Sequence, residues 1–430
     1  VNDATIARDA SLPEAEREQL QRRTLVTLRL AQVPGQAAVA GVVAVMALLA
    51  KQLLGGNDRL AGTGAAAYTM GSALMAVPLS AVMRRRGRRY GLMLAYGSGV
   101  VGALVVAAGG QAELFLVFVI GMALFGGAQA ATLQGRYAAA DLAHPARRAE
   151  AIATVVWVGT LGAAFGPLLT PWEKKAGKAL GLDPLVGPFL FAAVMAAIAM
   201  TVLFVRLRPD PLEASGQLDP HAARVRPLRQ VRASVGVIRA SRLAPLGLGA
   251  MVVSQAAMVA VMTMTPPHMK DHQHDDLSAY VIAVHIVGMY AFAPLVGRLV
   301  ERIGEVRAVM TGAVVLGAGT ITAVVAGYVP GLIFLGLFLL GVGWNIGLIA
   351  GSAILTGSVP AASRVEVQGT ADLTMSFCGG AAAFASGFIK QEWGYHMLAN
   401  SATLAAGLLL VAAYVRWLRQ RTPRPTDCFT

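Results

Sequence analysis

The chain has 430 residues, of which 56% are hydrophobic and only 14% charged, with a mean hydropathy of +0.61. Soluble domains carry about 25% charged residues, so this composition excludes a soluble globular domain and points to a polytopic membrane protein. The net charge of +13 does not signal nucleic acid, because the basic residues sit in short loops between apolar runs, as the positive-inside rule expects, without the basic–aromatic interleaving of a nucleic-acid module.

Residues 1–25 are polar and mixed in charge, unlike a signal peptide, and are expected to form a cytoplasmic N-terminal segment. Within them Ser11-Leu-Pro-Glu14 resembles a capping box opening a short surface helix. A spanning helix needs about 20 apolar residues. Twelve stretches qualify, near 26–50, 62–83, 90–109, 113–135, 150–170, 185–206, 245–267, 278–299, 307–328, 331–356, 368–389 and 397–417. The expected organisation is a six-helix bundle over 26–206, a cytoplasmic basic linker over 207–243, a second bundle over 244–418 and a cytoplasmic tail over 419–430. The two cysteines, Cys378 and Cys428, suggest neither a disulfide framework nor a zinc site.

Basic residues set the expected orientation. Seven of the 36 lie on one side of the spans (Lys51, Arg59, Lys174, Lys175, Lys178, Lys270 and Lys390), and the remaining 29, all Arg, lie on the other. Both termini are therefore expected in the cytoplasm of a bacterial cell, with the chain in its cytoplasmic (inner) membrane.

The halves repeat. Arg84-Arg-Arg-Gly87-Arg88-Arg89 follows span two, and Gly297-Arg-Leu-Val-Glu301-Arg302-Ile-Gly304 follows span eight. Gly87 and Gly304 are 217 positions apart, and Arg148 and Arg364 are 216 apart. A period of half the chain implies two parallel six-helix bundles. With these motifs the chain resembles the major facilitator superfamily of transporters over its whole length. The resemblance implies an all-α membrane protein with 12 transmembrane helices in two pseudo-symmetric bundles. The second loop matches the superfamily's G-x-L-x-[D/E]-R-x-G signature, with Gly297, Glu301, Arg302 and Gly304 as its conformational loop motif. The first departs from it, with Arg84 at the acid position. Gly162-Ala-Ala-Phe-Gly166-Pro167 in span five resembles an antiporter motif, and close helix packing by small residues is the favoured account of it.

Two four-residue spacings carry the substrate reading. Met258-Val-Ala-Val-Met262 and His285-Ile-Val-Gly-Met289 each place two donors on one helix face. Thioether sulfur and imidazole nitrogen suit Cu(I) better than Mg, Ca or Mn. Counted from the span ends at 1.5 Å per residue, both pairs lie at similar depths near the membrane middle, so that Met262 is expected to face His285 and Met258 to face Met289. Methionine in an apolar helix is ordinary packing, but His285 is titratable and deep in a span, where such groups are functional by default. The pairing resembles that of the CcoA-like bacterial copper importers. By that resemblance Met258, Met262, His285 and Met289 take the metal-binding places, with copper as the transported substrate rather than a cofactor. His268, Met269, His272 and His274, with Asp271, Asp275 and Asp276, are expected in an outer loop as a donor-rich entrance or simply a polar turn. His285 is the sole candidate for a proton relay, so uptake driven by capture of copper inside the cell is an open alternative to proton coupling.

Two other transport readings stand beside copper. An organic solute such as a flavin would use Gln36, Gln129, Trp157, Gln255, Trp344 and Asn345 as cavity lining, and the span-five motif suggests a drug or metabolite exporter. No nucleotide-binding loop, HExxH or nucleophile elbow is present, so the chain is not expected to be an enzyme. Its expected partners are the substrate and the bilayer, and it is expected to act as a monomer without cofactor.

Overall fold

The computed structural model describes residues 13–55, 62–222, 226–271, 277–326 and 329–421. Helix α1 (Glu14–Leu53) is followed by α2 (Thr63–Gln111), α3 (Phe115–Ala138), α4 (Arg148–Ala179) and α5 (Gly187–Arg206). Two short helices, α6 (Pro211–Ala214) and α7 (Pro227–Ala240), lead to α8 (Ala244–Asp271), α9 (Ser278–Tyr290), α10 (Ala293–Ile303), α11 (Glu305–Val325), α12 (Pro330–Ser358) and α13 (Ala361–Arg421). α2 breaks at Gly87 and α13 at Gly394, while α9 and α10 together make one apolar span, Tyr280–Ile303. With these breaks and the bent α1, the described helices make the twelve expected crossings. The expected short surface helix is the first part of the continuous α1, whose N-cap is Pro13; Ser11 of the proposed box lies outside the described residues.

The helices sort into two apolar cores. Val42, Leu49, Phe118, Phe125 and Phe189 pack together in the first half, and Val281, Val309, Leu337, Ile349 and Leu409 in the second. Ile152, Ala153 and Val156 of α4 pack with the second core, and Val365 of α13 with the first, so these helices form the seam.

The repeat extends to backbone detail. Gly87 has φ 90° and ψ 168°, and Gly304 has φ 85° and ψ 153°. These values lie where a Cβ is disfavoured, so both loops turn on a residue only glycine satisfies well. At Gly87 a Cβ would also stand 2.3 Å from Asp210 Oδ2. That carboxylate accepts from the Arg88 and Arg89 amides at 3.1 and 2.8 Å and caps α6 through the Leu212 amide at 2.9 Å. The linker is thereby fastened to the first loop, and Gln230 of α7 adds a 2.8 Å bond to Ser80.

The span-five glycines do what the packing reading expects. A Cβ at Gly162 would lie 2.3 Å from the Val33 carbonyl, and one at Gly166 would lie 2.9 Å from the Ala37 carbonyl. Small residues there let α4 lie directly on α1.

Candidate substrate site

A cavity of about 190 Å³ lies between the halves. α1 contributes Gln32 and Gln36, α2 Tyr68 and Ser72, and α3 Gln129 and Arg136. From the second half come Gln255 and Met258 of α8, Met289 and Tyr290 of α9, Trp344 of α12 and Met375 of α13. Several of these polar groups hold one another in place. Tyr68 donates to Gln129 Oε1 at 2.9 Å, and Trp344 Nε1 donates to Gln255 Oε1 at 2.7 Å. Tyr290 meets the Trp344 ring edge-on at 5.7 Å. Among the described lining residues there is no carboxylate, and Arg136 carries the sole charge.

Below the cavity the halves are joined by buried charge. Arg136 bonds Asp372 of α13, whose other oxygen accepts from Gln134 at 3.0 Å. Arg88, fully buried, pairs with Asp141 at 2.8 Å and crosses to Gln368 of α13 at 2.7 Å. Nearer the basic loops, Arg84 pairs with Glu366 at 2.8 Å and with Asp219 of the linker at 3.2 Å. Glu301 accepts from the Glu150 amide at the start of α4 at 2.8 Å. The backbones also touch here, since a Cβ at Gly297 would lie 2.7 Å from Ala153 Cβ and one at Gly369 2.3 Å from Ser80 Oγ. The cavity is therefore sealed toward the end that carries the basic loops.

The expected Met/His constellation is only partly assembled. Met258 and Met289 line the cavity. Met262 packs against the second-half core, outside the lining. His285 is fully buried and turns to α12, with Nδ1 2.7 Å from the Leu337 carbonyl and Nε2 buried without a partner. α12 lies against both helices that carry Met262 and His285. A Cβ at Gly347 would meet Ser254 of α8 at 2.5 Å, and one at Gly341 would meet the His285 carbonyl at 2.5 Å. Depth along each span is readable from residue counts; the order of helices in the bundle is not.

Other expectations need correction. His268 and Met269 belong to α8 and are buried rather than lying in a loop. His268 stacks on Tyr395 with centroids 4.2 Å apart. His272 and His274 lie outside the described residues. Gln36, Gln129, Gln255 and Trp344 line the cavity, whereas Trp157 and Asn345 do not. Trp157 is partly exposed, and Asn345 is buried, its Nδ2 bonded to the Met289 carbonyl. Tyr68, Tyr290 and Arg136 were absent from the expected lining.

A helical membrane bundle with a central cavity between repeated halves, closed toward the basic loops, is the architecture of a secondary transporter. The sequence profile of the Major Facilitator Superfamily matches residues 30–284 and 246–428, and the chain belongs to that superfamily. It is 36% identical over 98% of its length to the uncharacterized MFS-type transporter YdeG of Bacillus subtilis, covering 97% of that protein. It is 31% identical over 92% of its length to the riboflavin transporter RfnT of Brucella anthropi, covering 96% of it. Among solved structures, the human organic anion transporter MFSD10 superimposes with a TM-score of 0.75 at 18% identity, covering 92% of this chain and 99% of that one. The transporter FucP in its outward conformation gives a TM-score of 0.72 at 13% identity, covering 91% and 98%.

Proposed function

We propose that the protein imports a neutral, planar, hydrogen-bonding organic solute of the flavin type, bound in the central cavity. The carrying observation is the lining itself: Gln32, Gln36, Gln129 and Gln255 surround the space with amides, and Tyr68, Tyr290 and Trp344 add aromatic faces. Amides offer donors and acceptors together and match the alternating edge of a flavin ring. The similarity to a riboflavin transporter supports the same class. By the positive-inside rule the sealed end faces the cytoplasm, which makes this the outward-facing arrangement of an alternating-access cycle in the bacterial inner membrane. The test is equilibrium binding of riboflavin to the purified protein, read by fluorescence quenching. Gln36→Ala and Gln255→Ala should each weaken binding about 5- to 10-fold, the equivalent of one lost hydrogen bond of about 1 kcal/mol. Equal binding by wild type and both variants would contradict the assignment.

Copper import is the second reading, and one observation favours it. The sulfurs of Met258, Met289 and Met375 belong to residues of the same cavity, and three thioethers are a soft donor set for Cu(I). Against it, His285 is engaged by α12, and a cation there would meet Arg136 and no carboxylate. Cu(I) uptake that requires Met258 and Met289, in the absence of flavin binding, would establish copper instead.

A further inference from the structure

Glu173 stands near the far end of α4, three residues beyond the span expected to close near 170. It is only 5% exposed. Its carboxylate lies against Gly41 of α1, where a Cβ would be 3.9 Å from both oxygens. Its main-chain carbonyl lies against Gly187 of α5, where a Cβ would be 2.0 Å away. Both carboxylate oxygens are buried without a hydrogen-bond partner, as is Thr170 Oγ1 one turn earlier.

The charged groups of the surrounding elements are otherwise placed. Asp183, before α5, accepts from Gln52 at 2.6 Å. On α4 itself Lys175 stands over the Trp172 ring at 5.2 Å, and Lys174 and Lys178 accompany it. Lys51 of α1 has interactions of its own. Among the described residues none forms an ion pair with Glu173. An ionised carboxylate buried without donor or counter-ion is strongly disfavoured, so the environment selects the neutral acid. Burial pushes this carboxyl up from its ordinary 4.5 to about 7.

The position matters because α4 is also a seam helix. Near its other end Ala153 meets Gly297 of α10 in the opposite half. One helix therefore links this carboxyl to the contact that seals the cavity. We propose that Glu173 is a proton-binding site that responds to the packing of the first half at the end remote from the basic loops, protonated while α1, α4 and α5 pack as they do here and ionising to the water on that same side when their packing loosens. The proposal does not depend on which solute is carried.

The test needs no substrate, so its failure is distinct from failure of the flavin reading. Infrared spectra of the wild type and Glu173→Gln, purified in nanodiscs, are compared from pH 5 to 8. The expected result is a neutral-acid carbonyl band at pH 6 in the wild type alone, disappearing with a midpoint near neutrality. Absence of a difference band at pH 6 overturns the proposal. Should Glu173→Gln fail to fold, Glu173→Asp supplies the second variant, and a neutral-acid band that does not shift on that change likewise overturns it. Thermal melting gives an independent readout. The folded protein holds this proton above the unfolded acid's value, so this group's contribution to stability is fully present below about 4.5 and is lost as pH rises to about 7. Glu173→Gln lacks that fall, and parallel melting profiles from pH 5 to 8 would contradict the assignment.

Discussion

Arg84 pairs with Glu366 across the two halves at 2.8 Å, and the repeat-related positions, Glu301 and Glu150, are joined by a 2.8 Å bond from the Glu150 amide to the Glu301 carboxylate. In the second loop the acid binds a helix N-terminus, where backbone donors favour negative charge. In the first loop an arginine stands at the acid's position and finds a side-chain carboxylate at the symmetric place instead. The departure from the superfamily pattern is thus matched by a compensating acid, and both loops fasten one half to the other.

Reversing that pair should preserve closure where breaking it does not. Arg84→Glu sets two acids together and should raise the open population at the basic end, seen as a longer distance between spin labels there. Arg84→Glu/Glu366→Arg should restore the shorter distance in part, because Asp219 still opposes the new acid at 84. A double-mutant cycle should give a coupling of about 1 kcal/mol, as the pair is partly exposed.

The Arg136–Asp372 pair should weigh more, because both side chains are 2% exposed. Asp372→Asn leaves the guanidinium without its counter-charge, a loss of about 3–5 kcal/mol for buried pairs. Its melting temperature should drop well below that of Arg136→Gln/Asp372→Asn, which removes both charges. Equal melting of the single and double variants would show that the pair does not hold the halves.

Gly162→Leu should force α4 away from α1, since its first side-chain carbon already meets the Val33 carbonyl. Overpacking of this kind costs about 1–3 kcal/mol and should lower the melting temperature. Gly407→Leu is the control, because that position faces open space and should melt as the wild type does.

His285→Ala should act on stability, by about 1 kcal/mol for the lost bond to Leu337, and leave solute affinity nearly unchanged. Met289→Leu conserves volume and should change solute affinity by less than about 1.5 kcal/mol. Isothermal titration with riboflavin separates these effects from a melting shift. Loss of all riboflavin binding in Met289→Leu would contradict this minor packing role for Met289.

Much of the architecture was legible in the chain. The 217-residue repeat of Gly87 and Gly304 reflects a shared backbone conformation, and the spans follow from apolar length alone. The cavity was legible in part, because Gln36, Gln129, Gln255 and Trp344 are polar atoms in apolar helices and such atoms turn inward. His285 obeyed the same rule, but inward for α9 means toward α12, and no residue count fixes that neighbour. Glu173 escaped notice because Pro-Trp-Glu-Lys-Lys reads as the end of a span, whereas α4 runs on to Ala179 and buries the one acid in that run. His268 was misplaced for the same reason: α8 continues past two prolines to Asp271.

The most direct test of the central claim is uptake of labelled riboflavin into proteoliposomes containing the wild type or Gln255→Ala/Trp344→Ala. The account predicts saturable uptake, competed by unlabelled flavin, indifferent to a Cu(I) chelator and reduced at least about tenfold in the variant, the equivalent of about 1.4 kcal/mol. No flavin flux above empty vesicles, together with Cu(I) uptake that disappears in Met258→Ala/Met289→Ala, would contradict it.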